Sequence, residues 1–238
     1  MMENAGYATL SRQSGLMREM QIVANNIANA ATTGYRQEGL MFSEFIHSGP
    51  DQPSLSMSQA RIRNTSMTQG ALTQTNGAFD LAIEGEGFFL VETPAGERMT
   101  RAGNFSPNAD GDLVNMNGHR VLDTGQTPIF IPPDATDVRV ASDGTVSANG
   151  RPISQVGLFL PVDPLGISRE DGVLFSSDAG FDPATDASIV HGFLEDSNVN
   201  AIAQVTRMIE IQRAYEMGQS FLQAEDERIR NAMKSLMP

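Results

Sequence analysis

From Val199 to Pro238, a mainly apolar set of positions recurs in alternating steps of three and four: Val205, Met208, Gln212, Tyr215, Gln219, Leu222, Asp226, Ile229, Met233 and Leu236. Seven of these ten positions are apolar, which is the signature of a coiled-coil seam. Ile202 and Ile209 widen the stripe, whereas Arg207, Glu210, Arg213, Glu216, Glu225, Arg228 and Arg230 fall off it. A helix over this span would be roughly 50 Å long, more than a domain of this size buries by itself. A second helical pattern runs from Ala5 to about Asn29, with Leu10, Met17, Ala24 and Ala31 seven apart, Gln13, Met20 and Ile27 between them, and Leu16 and Val23 broadening the face. The matching periods predict that the two ends of the chain pack together; the alternative is that each packs separately on whatever lies between.

The run ANNIANAATTGYR, Ala24 to Arg36, joins the first helix to the rest. Asn25, Asn26 and Asn29 are mediocre helix formers because their amides compete for backbone hydrogen bonds. Some can be solvated or serve as caps; Asn29, near the seam, is expected to bond across to the other helix and fix its register. Gly34 is the expected left-handed residue that ends the helix. Residues 36–76 hold a short amphipathic run (Leu40, Met41, Phe42, Phe45, Ile46) and then a Ser- and Pro-bearing stretch, which reads as a partly extended connector.

From Gly77 the period shifts to short apolar clusters separated by turn signals such as PAG, NADGD and MNG, the mark of an antiparallel β unit. Its expected core is Phe79, Leu81, Ile83, Phe88, Leu90, Phe105, Leu113, Val114, Val121 and Leu122. Further strands are expected at Ile129–Ile131, Val138–Val140, Thr145–Ser147, Gln155–Leu160 and near Ser188–Leu194, with a loop-rich interval from Pro161 to Asp186. Asp196, Ser197 or Asn198 is the expected cap of the long helix. The predicted class is α+β: terminal segments 1–35 and 199–238 as a helical layer, 36–76 as the connector, and 77–198 as a central, mainly antiparallel β domain.

Composition narrows the chemistry. The 238 residues include no cysteine, which removes disulfides and thiol chemistry, and no uninterrupted apolar run long enough to span a membrane. The net charge of -13 is concentrated in residues 51–198, with twenty acidic against eight basic side chains, which disfavours nucleic acid and anionic lipid. Gly85-Glu86-Gly87 is followed by Phe88 and Phe89 in a strand pattern, where a phosphate site requires a helix N-terminus. Asn108, Asp110 and Asp112 around Gly111 resemble a fragment of a calcium loop but lack the downstream acidic ligand, and an Asp-Gly turn explains them more simply. His47, His119 and His191 lie far apart. The expectation is therefore no catalytic residue, cofactor or metal.

Three blocks in matching order resemble the bacterial flagellar rod and hook proteins: ANNIANAATTGYR, the middle block from GAFDLAIEGEGFF to TRAGNFSPNADGDLV, and SNVNAIAQVTRMIEIQRAYEMGQSF. The opening MENAGYATLSRQSGLMREMQ and the short polar connector after Phe45 most resemble the proximal-rod branch; a distal-rod or hook-junction subunit, or a secreted β-domain enzyme on a helical stalk, are the alternatives. The resemblance implies a structural subunit in the basal-body rod, crossing the periplasm, whose terminal helices form an inner tube with the β domain outside. Its implied partners are other copies of itself, other rod subunits and the flagellar type III export machinery. The assembly-interface residues would be Leu10, Met17, Met20, Ala24, Asn25, Asn26, Ile27, Asn29, Val205, Met208, Ile209, Gln212, Tyr215, Leu222 and Ile229.

Overall fold

The computed structural model describes residues 2–49 and 52–236, with side-chain surroundings for residues 9–40 and 64–234. The class is α+β with mainly antiparallel sheets. The chain divides into two units: residues 1–30, 37–66 and 199–238 form one, and residues 31–36 and 67–198 the other.

The first unit contains two helices, α1 (Met2–Ala28) and α2 (Ala201–Leu236), and a hairpin of β1 (Glu38–Gly49) and β2 (Gln52–Thr65). The segment expected to be a partly extended connector is thus a long antiparallel ladder, from Glu38 opposite Thr65 to Gly49 opposite Gln52. An isolated two-stranded ribbon is marginal in water; here α1 lies against both strands. The side chains of Met41, Phe42, Phe45 and Ile46 lie outside the described residues. The cap of α2 is Asn200, not Asp196, Ser197 or Asn198: its Oδ1 accepts from Ala203 N–H at 3.0 Å, satisfying one of the orphan donors of the first turn.

The second unit is built on a bent antiparallel sheet ordered Ile167–Asp171, Leu174–Ser177, Gly96–Thr100, Phe88–Thr93, Arg120–Val121, Leu113–Val114, Ser106–Pro107, with Leu158–Pro161 pairing both Phe88–Thr93 and Phe181–Pro183. A three-stranded sheet (Val138–Val140, Thr145–Ala148, Arg151–Gln155) turns at Asn149-Gly150, both with positive φ as a tight hairpin turn requires. Asn149 is also held by its side chain, whose Oδ1 accepts from Thr136 N–H and whose amide donates to Asp134 O. Two short ladders complete the unit: Leu81–Glu84 with Ser188–His191, and Leu72–Gln74 with Phe193–Glu195.

The core contains the residues the alternation predicts. Leu81, Ile83, Phe88, Leu90, Phe105, Leu113, Val114, Val121 and Leu122 are all buried, and Phe79 packs half-buried against them. Edge-to-face ring pairs, Phe89 with Phe105 and Phe88 with Phe175, lock two neighbouring apolar clusters. Two expectations change. The interval Pro161 to Asp186 holds three strands rather than being mainly loop, and Ile129–Ile131 contributes an isolated bridge at Phe130 instead of a strand.

Candidate assembly interface

Within the first unit, α1 and α2 lie against each other. Glu19 accepts a hydrogen bond from Arg207 at 2.8 Å, and Gly218 lets Gln13 approach so closely that an added Cβ would sit 3.2 Å from the Gln13 amide nitrogen. The covered side of α2 runs through Gln204, Met208, Ile211, Tyr215, Gly218, Leu222 and Glu225. This keeps the three-four period expected from the sequence but shifts alternate positions back by one residue, so Met208, Tyr215 and Leu222 are shared and Ile211 replaces Gln212. The choice has a physical reason: it places an isoleucine, 1% exposed, and a glycine at positions where the other face offers glutamines. On α1 the covered side runs through Leu16, Met20, Ile22, Val23, Asn26 and Ile27.

The candidate interface residues fall into two groups. Met20, Ile27, Met208, Tyr215 and Leu222 are partly covered by the chain's own packing. Leu10 and Met17 remain 53% and 50% exposed, Val205, Ile209 and Ile229 are likewise half-exposed, and Ala24, Asn25 and Gln212 are exposed. Met217, Phe221 and Met233 are exposed as well, so both helices carry large apolar side chains that their pairing leaves open. An open hollow of about 380 Å³ lies in the second unit beside Thr32, Asn104 and Asn117, and among the described residues no group of acidic or histidine side chains is arranged to hold a metal. Asn108 instead closes its turn, accepting from the N–H groups of Asp110 and Asp112 at 2.9 Å, while His191 Nε2 lies 2.9 Å from Ala78 O. No helix among the described residues is long and apolar enough to cross a membrane.

The asparagine run resolves into distinct roles. Asn29 Nδ2 donates back to Asn25 O near the end of α1, and Asn26 makes an amide contact across to α2. Asn26 is 1% exposed. Its Oδ1 accepts from Glu38 N–H at 3.0 Å, and its Nδ2 reaches Glu38 O at 2.8 Å and Gln204 Oε1 at 3.3 Å. One carboxamide thus satisfies both backbone groups of the first residue of β1 and touches α2.

Gly34 takes φ +69°, and a Cβ there would lie 2.3 Å from Ala102 N, so only glycine fits both the turn and the approach. Its N–H donates to Glu195 O at 2.7 Å. Beside it, within the second unit, lies a buried cluster that sequence reasoning missed. Glu195 Oε1 is 3.0 Å from Arg36 Nη2 and accepts from Gly70 N–H at 3.0 Å, and Oε2 accepts from Arg101 Nη1 at 3.0 Å. Arg36 also donates to Thr68 O, and Arg101 donates to Gly85 O at 2.7 Å while stacking over Phe88. Burial pulls the Arg36 guanidinium down to about 10, opposed by Glu195 and aided by the neighbouring Arg101 charge; burial lowers Arg101 too, against the pull of Glu195. Each member sits inside a recognisable block of sequence, Arg36 closing TTGYR, Arg101 in TRAGNF and Glu195 opening EDSNVN, but nothing in local spacing signals that they meet.

The same blocks match known proteins. Residues 7–36 match the family model for flagella basal body rod proteins, residues 82–148 that of the flagellar hook protein FlgE/F/G D1 domain, and residues 190–235 that of the flagellar basal body rod FlgEFG protein C-terminal region. The chain is 41% identical to the flagellar basal-body rod protein FlgF of Caulobacter vibrioides and 35% identical to that of Mesorhizobium japonicum, in both cases over 99% of this chain and 98% of the relative. It is 31% identical to the flagellar basal-body rod protein FlgG of Agrobacterium fabrum over 91% of this chain and 93% of the relative. A helix–hairpin–β–helix chain that matches these proteins from end to end belongs to the FlgF-like flagellar basal-body rod family, whose members are structural subunits of the rod and not enzymes.

Proposed function

We propose that the chain builds the proximal rod through its terminal segments: residues 1–35 and 199–238 pair as a coiled-coil layer, and the apolar stripes left open on that pair receive helices of neighbouring subunits. The observation that carries this reading is the half-exposure of Leu10, Met17, Val205, Ile209 and Ile229 at helical spacing on both members of one helix pair. Single exposed apolar residues are ordinary, but several large ones left open on both helices of one pair mark an interaction surface. Covering them in turn offsets the ordering entropy of long helices, so assembly completes their folding. Partners are other copies and other rod or hook subunits, meeting head to tail so that contacts propagate along an axis. The two FlgF relatives align over nearly their full length, which favours the proximal over the distal position. Delivery by the type III export machinery in an unfolded state suits a chain without cysteine.

The test places charge in the open stripe without touching the covered face. Leu10→Asp combined with Ile209→Asp, in a strain lacking its own copy, is expected to leave the secreted chain with a normally folded β unit but absent from purified basal bodies. Incorporation at the wild-type level would overturn the proposal.

A further inference from the structure

Among the described residues, ion pairs such as Arg98 with Glu170 or Arg228 with Glu225 are surface contacts between strands or along a helix. Glu195 is different in kind. Its side chain is 1% exposed, and its two oxygens meet three segments far apart in sequence: an ion pair with Arg36, a hydrogen bond from Gly70 N–H, and a charged hydrogen bond from Arg101. Arg36 follows the end of α1 by eight residues, and Glu195 precedes the start of α2 by six. Around this carboxylate the backbones also close: Gly34 N–H donates to Glu195 O, and Asn198 N–H donates to Tyr35 O at 3.2 Å. Arg169 lies 4.3 Å over the Tyr35 ring and donates to Arg36 O.

We infer that Glu195 is a positioning residue, a clasp that makes residues 31–36 an integral part of the β unit and so anchors the chain leaving α1 and the chain entering α2 at one place. The short TTGYR run contributes little apolar area of its own, with Tyr35 its one large buried hydrophobe. What holds it is the carboxylate between two guanidiniums. A buried charge pair of this type is costly to break from one side, because each arginine left behind keeps a desolvated charge. Arg36 and Arg101 already have Nε groups without a hydrogen-bond partner, so neither has a spare acceptor to fall back on.

Trypsin reads the clasp directly, since it cuts after arginine only where the chain can open. In the full-length wild-type protein, cleavage is expected after exposed residues such as Arg139, with the Arg36–Gln37 and Arg101–Ala102 bonds spared. Glu195→Gln keeps the shape and removes the charge. It is expected to speed cleavage after Arg36 by about tenfold or more, the ratio that losing one charged hydrogen bond implies for local opening. Arg101, still bonded to Gly85 O and stacked on Phe88, should stay protected. Glu195→Asp keeps the charge but shortens its reach, and should give an intermediate rate. If Glu195→Gln exposes both bonds together, Glu195→Asp decides. Faster cutting at Arg36 alone supports the clasp. Unchanged cutting at Arg36, or simultaneous cutting at Arg36 and Arg101 in both variants, overturns it. Because the readout is on the monomer, it does not depend on the assembly reading above.

Discussion

The two units of this chain are stabilised in opposite styles. In the β unit, alternation builds a continuous apolar interior: Phe89, Leu90, Val91, Met99 and Phe175 show no exposure, and rings and strands interlock. In the helical unit, among the described residues, only Ile22, Val23 and Ile211 of the large apolar side chains are fully covered, while Leu10, Met17, Met217 and Met233 face outward. The β unit is complete as a folded body; the helical unit carries the apolar surface of one that expects company. A subunit that must be stable in one part and receptive in another separates the two tasks along its sequence.

The contrast is sharpened by changes that should act in one unit and not the other. The largest effect is expected from Phe89→Ala, which removes a fully buried ring paired with Phe105 at 5.2 Å. A loss of about 3–5 kcal/mol should appear in the β-unit unfolding transition, followed by hydrogen exchange over residues 81–91, with the far-UV helical signal unchanged until that transition. Next comes Asn26→Ala, which leaves both backbone groups of Glu38 without their carboxamide partner. A loss of roughly 1–3 kcal/mol should accelerate exchange in α1 and at the base of the hairpin while leaving residues 81–91 as protected as before; matched losses in both units would break the contrast. The smallest effect concerns Glu170, an exposed carboxylate that the Arg98 hydrogen bond holds below its ordinary range. Since the folded value is depressed, its contribution is present above the ordinary carboxylate range and is lost as pH falls through the folded value. A pH titration of β-unit stability should therefore show a slightly shallower acid limb in Glu170→Gln, with no change in the helical unit.

What could be read from the chain follows the range of the interactions involved. The two helices, the left-handed Gly34 and the β core were legible because periodicity and a single turn residue are local signals. The strand Ile167–Asp171 was not, since at a sheet edge its Ser168, Glu170 and Asp171 face solvent and leave only Ile167 to mark an inner side. The face on which α2 packs was ambiguous because two stripes with the same period lie side by side. What separates them is the fit of Gly218 to Gln13, a property of two residues distant in sequence. Asn200 won the cap over its three polar neighbours because Asn198 is engaged elsewhere, donating to Thr68 O at 2.7 Å. The Arg36–Glu195–Arg101 cluster joins three parts far apart in the chain, and a sequence carries no local trace of such a meeting.

The carboxamide of Asn26 has one more implication. By offering a donor and an acceptor to Glu38 in the arrangement of a peptide group, it occupies the rung where another strand would begin to pair. The foot of the ribbon is thereby closed to strand-by-strand growth. A neighbouring copy is denied that rung as the starting point of the wrong kind of polymer.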